Sequence, residues 1–397
     1  MQNNPHSVAD PDSKTLFIVV GGVIALAVAM GIGRFAFTPL MPLMLRDGII
    51  DLPTGTEWAA ANYLGYLIGA LSASRFGKNT RLGLTSGLVG IGLTTLGMLC
   101  VGNSSLMLGA ALRGAAGIFS AWVLVCTSGW CFNALAARQA SKQGSWIYTG
   151  VGLGIALTGV LVWLGGKQPA STLWLELGIV ACAGTLLARL CMKGPAAVRK
   201  ASAQAADSAK TSNARQGNFA LVICYSTFGF GYIIPATFLP TMARQLSADP
   251  LVFGLTWPIF GLAAAASVGA VSRWMSGWPR ARVWALAQGC MALGTILPLF
   301  VNALWSIAVC AVLVGGTFMV ATMAGLQLAR ERMPGNPTVL LGRMTAGFAT
   351  GQIAGPLFVR AIGSAQIAGW DAFSWANAAA TFLLAVTAVW LWRLELR

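Results

Sequence analysis

The sequence predicts an all-α integral membrane protein whose twelve transmembrane helices form two pseudo-symmetric six-helix bundles. Of its 397 residues, 56% are hydrophobic and only 9% are charged, which is unlike a soluble domain. Many apolar runs reach the roughly 20 residues that span a bilayer. In addition, several residues recur at a constant offset of 198, which is half the chain. This recurrence indicates an internal duplication.

The apolar runs predict the helices in chain order. They lie near 16–45, 57–75, 82–102, 105–135, 145–164, 172–192, 218–243, 251–275, 282–301, 304–329, 338–361 and 371–392. Residues 193–217 are rich in Ala, Ser, Lys and Arg, and this composition predicts a flexible linker. We therefore divide the chain into a polar tail (1–14), an N-terminal bundle (15–192), the linker and a C-terminal bundle (218–397).

Basic residues cluster in alternate loops, and this pattern predicts the topology. One set of loops holds Arg75, Lys78, Arg81, Arg138, Lys142, Lys193, Arg199, Lys200, Lys210, Arg215, Arg273, Arg280, Arg282, Arg330 and Arg332. The intervening loops hold only Arg46, Lys167, Arg244 and Arg360. Because basic loops stay in the cytoplasm, we expect both termini and the linker to be cytoplasmic. The expected location is a bacterial inner membrane.

One arginine, Arg34, lies in the first predicted helix, which is otherwise uncharged. Inserting an arginine at the centre of a membrane helix costs about 2.5 to 3.5 kcal/mol of free energy, so the residue needs a compensating partner or a functional role. Arg34 is surrounded by glycines, which let another helix or a ligand approach the backbone closely, and by prolines, which free backbone carbonyls. These residues are Gly31, Gly33, Pro39 and Pro42. The combination predicts a helix that faces a cavity rather than lipid.

The same stretch returns in the second half of the chain. Gly229, Gly231 and Pro240 repeat the glycines and the second proline, whereas Tyr232 replaces Arg34. Duplicated sets of membrane helices are typical of secondary transporters. The halves therefore share an architecture and differ at this position.

Two further motifs carry a resemblance to a known family. The loop after the second helix reads Ser74-Arg75-Phe76-Gly77-Lys78, and the fourth helix contains Arg113-Gly114-Ala115-Ala116-Gly117. Together with the six-plus-six arrangement, they resemble the major facilitator superfamily, which carries Asp-Arg-x-Gly-Arg and Arg-x-x-x-Gly there. Ser74 replaces the family's acid. The stretch from Gly31 to Pro42 is similar to the signature of the YbfB/YjiJ-like branch.

The resemblance implies a major facilitator fold, a small-molecule substrate and a gating loop formed by Ser74, Arg75, Gly77 and Lys78. It also implies that Arg113 aids coupling or contacts substrate. The alternative for Arg113 is a fixed structural partner of helix-end carbonyls or of an acid.

Arg34 lies about 12 residues, or roughly 18 Å, from the outer end of the first helix, near mid-membrane. In one interpretation, its guanidinium holds an anionic substrate group. In the other, it binds carbonyls freed by Pro39 or Pro42. Further candidates to line the cavity are Tyr66, Trp122, Trp130, Tyr148, Tyr232 and Gln352, each with core packing or interfacial anchoring as its alternative. Gly355 and Pro356 are candidates to bend the eleventh helix.

The sequence contains few residues that would support an enzyme, a metal site or ATP-driven transport. There is no intramembrane histidine, because the single histidine is His6, and there is no HExxH motif or P-loop. The cysteines form no CxxC pair. We therefore expect no enzyme, no cofactor and no metal site. The net charge of +15 is explained by the basic loops, so we expect contact with membrane lipid and no nucleic acid.

The acids nearest the membrane, Glu57, Glu176 and Asp371, lie near predicted outer helix ends. Either one of these acids pairs with Arg34 or Arg113, or the protein is a uniporter or an anion exchanger. The sequence leaves open whether protons are the coupling ion. We expect a monomeric secondary transporter that moves a small organic anion by alternating access. The alternatives are an efflux pump for amphipathic drug-like compounds and a transporter-like sensor.

Overall fold

The computed structural model describes residues 11–76, 79–102, 106–192, 212–275, 277–333 and 338–394. Within these ranges the regular elements are helices joined by turns and loops, and the extended pairing is limited to one isolated bridge between Ile367 and Trp370. The helices are α1 (Pro11–Leu26), α2 (Phe37–Arg46), α3 (Leu52–Ser72), α4 (Thr80–Gly97), α5 (Leu106–Ala136), α6 (Thr149–Leu164), α7 (Ala170–Cys191), α8 (Ser212–Leu246), α9 (Pro250–Phe253), α10 (Thr256–Trp274), α11 (Arg280–Phe300), α12 (Leu304–Arg332), α13 (Thr338–Ile362) and α14 (Ala372–Leu394). The predicted all-α fold is confirmed.

In the described residues, 10 helical spans are long and apolar enough to cross a membrane. The second and eleventh predicted helices, α3 and α13, have 21 and 25 residues but do not belong to this set. Both carry polar side chains, including Asn62 in α3 and Gln352 in α13. The two helices pack against each other, and α3 also packs on α5 and α13 on α8. Their polar faces therefore meet protein rather than lipid.

Some predicted boundaries fall where the structure gives no description. Residues 1–10 of the tail, residues 193–211 of the linker, and Gly77 and Lys78 of the loop motif lie outside the described ranges. On either side, α1 begins at Pro11 and α8 at Ser212, so each helix starts a few residues before the predicted bundle boundary.

The first membrane-spanning segment is not one regular helix. After α1, residues Ala27–Arg34 are π-helical, and α2 begins at Phe37. The wide turn is closed by Phe35 N–H, which donates to Met30 O at 3.1 Å. Pro39 has no N–H, and Phe35 O instead accepts from Thr38 N–H at 3.1 Å. The helix is therefore distorted before the prolines, next to the glycines.

The predicted packing glycines lie at close approaches between helices. A Cβ on Gly31 would overlap the backbone of Gly154 in α6, and one on Gly229 would overlap the carbonyl of Phe348 in α13. Gly33, Gly231 and Gly355 lie against side chains of Ser120, Leu384 and Ile233, respectively. The predicted bending prolines Pro42, Pro240 and Pro356 lie inside α2, α8 and α13.

The two copies of the repeat meet each other at the centre of the molecule. Arg34 contacts Tyr232, and Thr38 Oγ1 donates to Ala236 O at 2.8 Å; both pairs are 198 residues apart. Residues at corresponding positions can touch only near the axis that relates the two halves. The stretch that contains Arg34 therefore lies on this pseudo-two-fold axis.

We expect Gly31→Ala to destabilise the fold, because the added methyl group would meet the backbone of α6. Overpacking of this kind costs about 1 to 3 kcal/mol. Gly289→Ala in α11 is the matched control, since its Cβ would meet nothing within 4 Å and alanine favours helix. Thermal unfolding in detergent should show a lower midpoint for Gly31→Ala only. Equal midpoints for the two variants would contradict this packing.

Candidate functional site

A cavity of about 410 Å³ lies between the two halves. Both bundles line it, with side chains from the first segment, α3, α5, α6, α8, α12 and α13. The lining residues are Met30, Arg34, Phe35, Tyr66, Leu124, Phe132, Ser145, Tyr148, Val151, Tyr232, Phe318, Met319, Thr322, Met323, Leu326, Gln327, Arg330 and Phe348. This volume is within the range that small-molecule sites occupy.

The cavity extends along α12 from Phe318 to Arg330. At the rise of an α-helix, this stretch is about 18 Å long. Arg330 is exposed and lies in the last turn of α12, at the end of the molecule where the helices meet the basic loops, here called the basic end. Arg34, Phe35 and Tyr232 are buried. The cavity therefore opens at the basic end and ends at Arg34.

Arg34 is held by aromatic groups. Its side chain is 5% exposed, and Cζ lies 3.7 Å from the centroid of the Tyr66 ring. Nη2 donates to the Tyr232 hydroxyl at 3.3 Å, whereas Nε is buried without a hydrogen-bond partner. A cation over an aromatic face gains about 2 kcal/mol when desolvated. The ring of Tyr66 stabilises the charge, and one N–H of the guanidinium stays unused.

No carboxylate of the described residues neutralises Arg34. The ion pairs found there join Arg46 to Asp47, Arg280 to Glu331 and Arg360 to Glu57. Of the two alternatives that the sequence leaves open, an ion pair of Glu57 with Arg34 or Arg113 does not form, because Glu57, near the start of α3, pairs with Arg360 in α13. Within the described residues, the guanidinium of Arg34 therefore lies at the end of the cavity without an acid partner.

Tyr232 is fixed on both faces and at its hydroxyl. Its ring stacks between Phe318 and Phe348, with centroid distances of 5.6 and 5.5 Å and interplanar angles of 6° and 7°. Its hydroxyl oxygen accepts from Arg34 and from Nε2 of the buried Gln352. With this orientation of the amide, both lone pairs of the oxygen are occupied. Only in this orientation is the hydroxyl hydrogen available to a molecule in the cavity, because the opposite one lets it donate to Oε1 of Gln352, which otherwise is buried without a partner.

Arg113 lies behind the site and does not line the cavity. It is buried, and Nη2 donates to the carbonyl oxygen of Arg34 at 3.0 Å. Asn62 of α3 donates to Arg113 O at 2.8 Å and to Gly33 O at 3.4 Å. In one of the two interpretations from the sequence, Arg34 itself binds carbonyls freed by Pro39 or Pro42. The structure instead places Arg113 on the free carbonyl of Arg34, where it holds the distorted helix.

The other sequence candidates divide into two groups. Tyr66, Tyr148 and Tyr232 line the cavity with Arg34, and Gln352 and Arg113 lie behind it as supports. The tryptophans expected in the cavity are not among its lining residues: Trp122 donates to Ser72 at 2.9 Å, and Trp130 is buried in the N-terminal bundle. In the loop motif, Ser74 and Arg75 form a 3₁₀ turn at the basic end.

At the opposite end, contacts between the halves close the cavity, and we call them the closing layer. They pair Thr38 with Ala236, Tyr63 with Thr237, Trp163 with Leu251 and Glu57 with Arg360. The rings of Phe35 and Trp257 lie 6.0 Å apart. Sequence reasoning missed this layer, although the constant offset of 198 between Thr38 and Ala236 was a signal that could have found it.

We expect the hydroxyl pair of the closing layer to be energetically coupled. The hydroxyls of Tyr63 and Thr237 are 2.8 Å apart and both residues are buried. Thr237→Val should cost about 1 to 3 kcal/mol, because it leaves the Tyr63 hydroxyl without its partner. Adding Tyr63→Phe should recover part of this loss, since both polar groups are then removed. A double-mutant cycle on unfolding in detergent measures the coupling. Strictly additive losses would show that the hydroxyls do not interact.

Comparisons with known proteins agree with this architecture. No curated protein matches the sequence. Among solved structures, a D-xylose–proton symporter has a TM-score of 0.73 at 13% identity, covering 96% of this chain and 97% of that one. The nucleoside transporter NupG has a TM-score of 0.72 at 11% identity, covering 96% and 98%. The human organic anion transporter MFSD10 (TETRAN) has a TM-score of 0.63 at 16% identity, covering 95% and 100%.

These similarities show the fold, and a family model identifies the family. The model described as "uncharacterised MFS-type transporter YbfB" matches residues 26–390, which is nearly the whole chain. This match confirms the resemblance that the motifs suggested. The chain is a multi-pass membrane protein and belongs to the YbfB family of major facilitator transporters.

Proposed function

We propose that this protein is a secondary transporter for a small organic anion with an apolar or aromatic body. The observation that carries the proposal is the charge of Arg34. It lies at the end of a cavity shared by both halves, and no acidic side chain of the described residues pairs with it. An intramembrane charge in this position is a functional-site hypothesis by default.

Two donors converge on the expected anion. The guanidinium of Arg34 matches the geometry of a carboxylate or phosphate, and its Nε has no hydrogen-bond partner. When the amide of Gln352 donates to the Tyr232 hydroxyl, as Arg34 does, the hydroxyl hydrogen can donate to the anion. A carboxylate between these groups would satisfy both donors. This arrangement supports an anionic head group at the deep end.

The walls above the head group favour an apolar body. They include the rings of Phe132, Phe318 and Phe348 and the flexible thioethers of Met319 and Met323. Such a surface also supports a second candidate, efflux of amphipathic compounds, because thioethers and aromatic rings accept varied shapes. The two candidates differ in whether Arg34 is needed for binding.

The cavity and the closing layer support alternating access. The cavity opens at the basic end, whereas the closing layer joins the two halves at the other end. Rocking one bundle against the other would break the closing layer and bring the basic ends together. By the positive-inside rule, the basic loops support a cytoplasmic position for the open end in a bacterial inner membrane. In that orientation the cavity would be open to the inside.

A thermal-shift experiment on detergent-purified protein tests the anion assignment. We expect benzoate, succinate or inorganic phosphate to raise the unfolding midpoint of the parent protein, while xylose and tetraphenylphosphonium do not. A ligand at 100 times its Kd adds about 2.7 kcal/mol. Arg34→Gln should abolish the shift. Arg273→Gln removes an equal charge from an exposed site at the basic end and should retain it.

Stabilisation by tetraphenylphosphonium alone, or anion stabilisation that survives Arg34→Gln, would contradict the proposal and favour efflux. Counterflow of the labelled stabilising anion in proteoliposomes then separates a transporter from a sensor, because a sensor binds without exchange.

Gln352→Leu should weaken anion binding without unfolding the protein. The variant removes one donor to the Tyr232 hydroxyl, and a lost hydrogen bond costs about 0.5 to 1.5 kcal/mol, or about twofold to tenfold in Kd. Gln288→Leu is the matched control, because Gln288 is also buried in the C-terminal bundle but donates to Thr387 at 2.7 Å. Titration calorimetry with the stabilising anion measures both. An equal loss in the control would rule out a specific role for Gln352.

A further inference from the structure

The charged groups of the cavity all carry the same sign. Its described lining contains Arg34 at the buried end and Arg330 at the mouth, and no Asp, Glu or His. The remaining titratable side chains of this lining are the phenols of Tyr66, Tyr148 and Tyr232. No acid in the described lining can therefore neutralise the charge of Arg34 when the site is empty.

The acids of the chain lie elsewhere. The sequence has 11 acidic residues, and most of the described ones lie in the loops, or within two helical turns of them, at the end of the closing layer. These are Asp47, Asp51, Glu57, Glu176, Asp249 and Asp371. At the basic end, Glu331 pairs with Arg280. Asp12 lies in the first turn of α1, and Asp10, Asp207 and Glu395 lie outside the described residues.

The missing counter-charge affects the transport cycle. To reach the opposite state, the basic ends must close over the cavity, which removes Arg34, already only 5% exposed, from its remaining access to solvent through the mouth. A buried charge that loses its solvent without a partner is strongly unfavourable. The ring of Tyr66 and the neutral hydroxyl of Tyr232 offset only part of this cost. A bound anion would supply the missing counter-charge.

We propose that the protein is an obligatory anion exchanger. The substrate anion is the counter-ion that allows the loaded protein to occlude, and the empty protein stays open at the basic end until a second anion binds. One anion then crosses in each direction per cycle, and no proton or metal ion is required. This inference rests on the proposed function, because it needs Arg34 to bind the anion.

The test measures whether the empty protein changes state. Thr237→Cys places a thiol in the closing layer, where residue 237 is now buried, and Thr322→Cys places one in the cavity wall. We call these the layer thiol and the wall thiol. The single variants are reconstituted in lipid nanodiscs and treated with a hydrophilic maleimide. Peptide mass spectrometry then gives the rate of modification of each introduced thiol, separately from the native cysteines.

Without anion, we expect the wall thiol to react at least about 100-fold faster than the layer thiol, as a strongly one-sided equilibrium requires. Adding Arg34→Gln should accelerate the layer thiol by at least about tenfold, because the charge no longer opposes closure. Arg34→Lys retains the charge and should stay slow, which separates the charge effect from a folding defect. Saturating benzoate, succinate or phosphate should accelerate the layer thiol only in the protein that retains Arg34.

Two results would overturn the inference. If the layer thiol reacts as fast without anion as with it, the empty protein changes state freely and is a uniporter. If Arg34→Gln leaves the layer thiol slow, the charge is not what holds the empty protein. In either case, stabilisation by benzoate through Arg34 would leave the proposed function standing. A lack of response to all three anions, in accessibility and in thermal shift, would overturn both proposals.

Discussion

A positive charge without an acid partner, held deep between the two bundles, is the constraint on which the site depends. The guanidinium of Arg34 cannot be solvated by lipid, so its surroundings must stabilise it. Tyr66 offers an aromatic face, Tyr232 offers a hydroxyl oxygen, and the cavity above them opens at the basic end. The backbone at this point is equally constrained. Arg113 and Asn62 take up the carbonyls that the distorted helix leaves free.

The internal duplication explains why the two halves must differ at this place. Positions 34 and 232 correspond in the two copies and contact each other near the axis. Two arginines here would put like charges within hydrogen-bond distance, and two tyrosines would leave no charge to bind an anion. One arginine and one tyrosine give a cation and a hydroxyl that converge on the same point. The difference between residues 34 and 232 therefore gives the candidate site its chemistry, whereas the duplication gives the two bundles their common fold.

Much of the fold could be predicted from the sequence, because a membrane requires long apolar helices and the repeat fixes how the halves correspond. Arg34, Tyr66, Tyr148 and Tyr232 could be predicted to line the cavity, because few charged or amphipathic side chains lie within the apolar helices. Their role in binding stays a prediction. The π-helical turn could not be predicted, since it depends on which neighbouring helices fill the space. For the same reason, the role of Arg113 and the pairing of Glu57 with Arg360 were decided by tertiary packing alone.

The central claim is that one guanidinium, placed on the pseudo-two-fold axis, binds the anion. Exchanging the two residues tests it most directly, with affinities for benzoate, succinate and phosphate measured by titration calorimetry. Arg34→Tyr alone should abolish anion binding. The double variant Arg34→Tyr with Tyr232→Arg returns the guanidinium to the axis, and it should restore the affinity to within about tenfold of the parent. Parental affinity in Arg34→Tyr alone would contradict the account, because the anion would then be held by other groups.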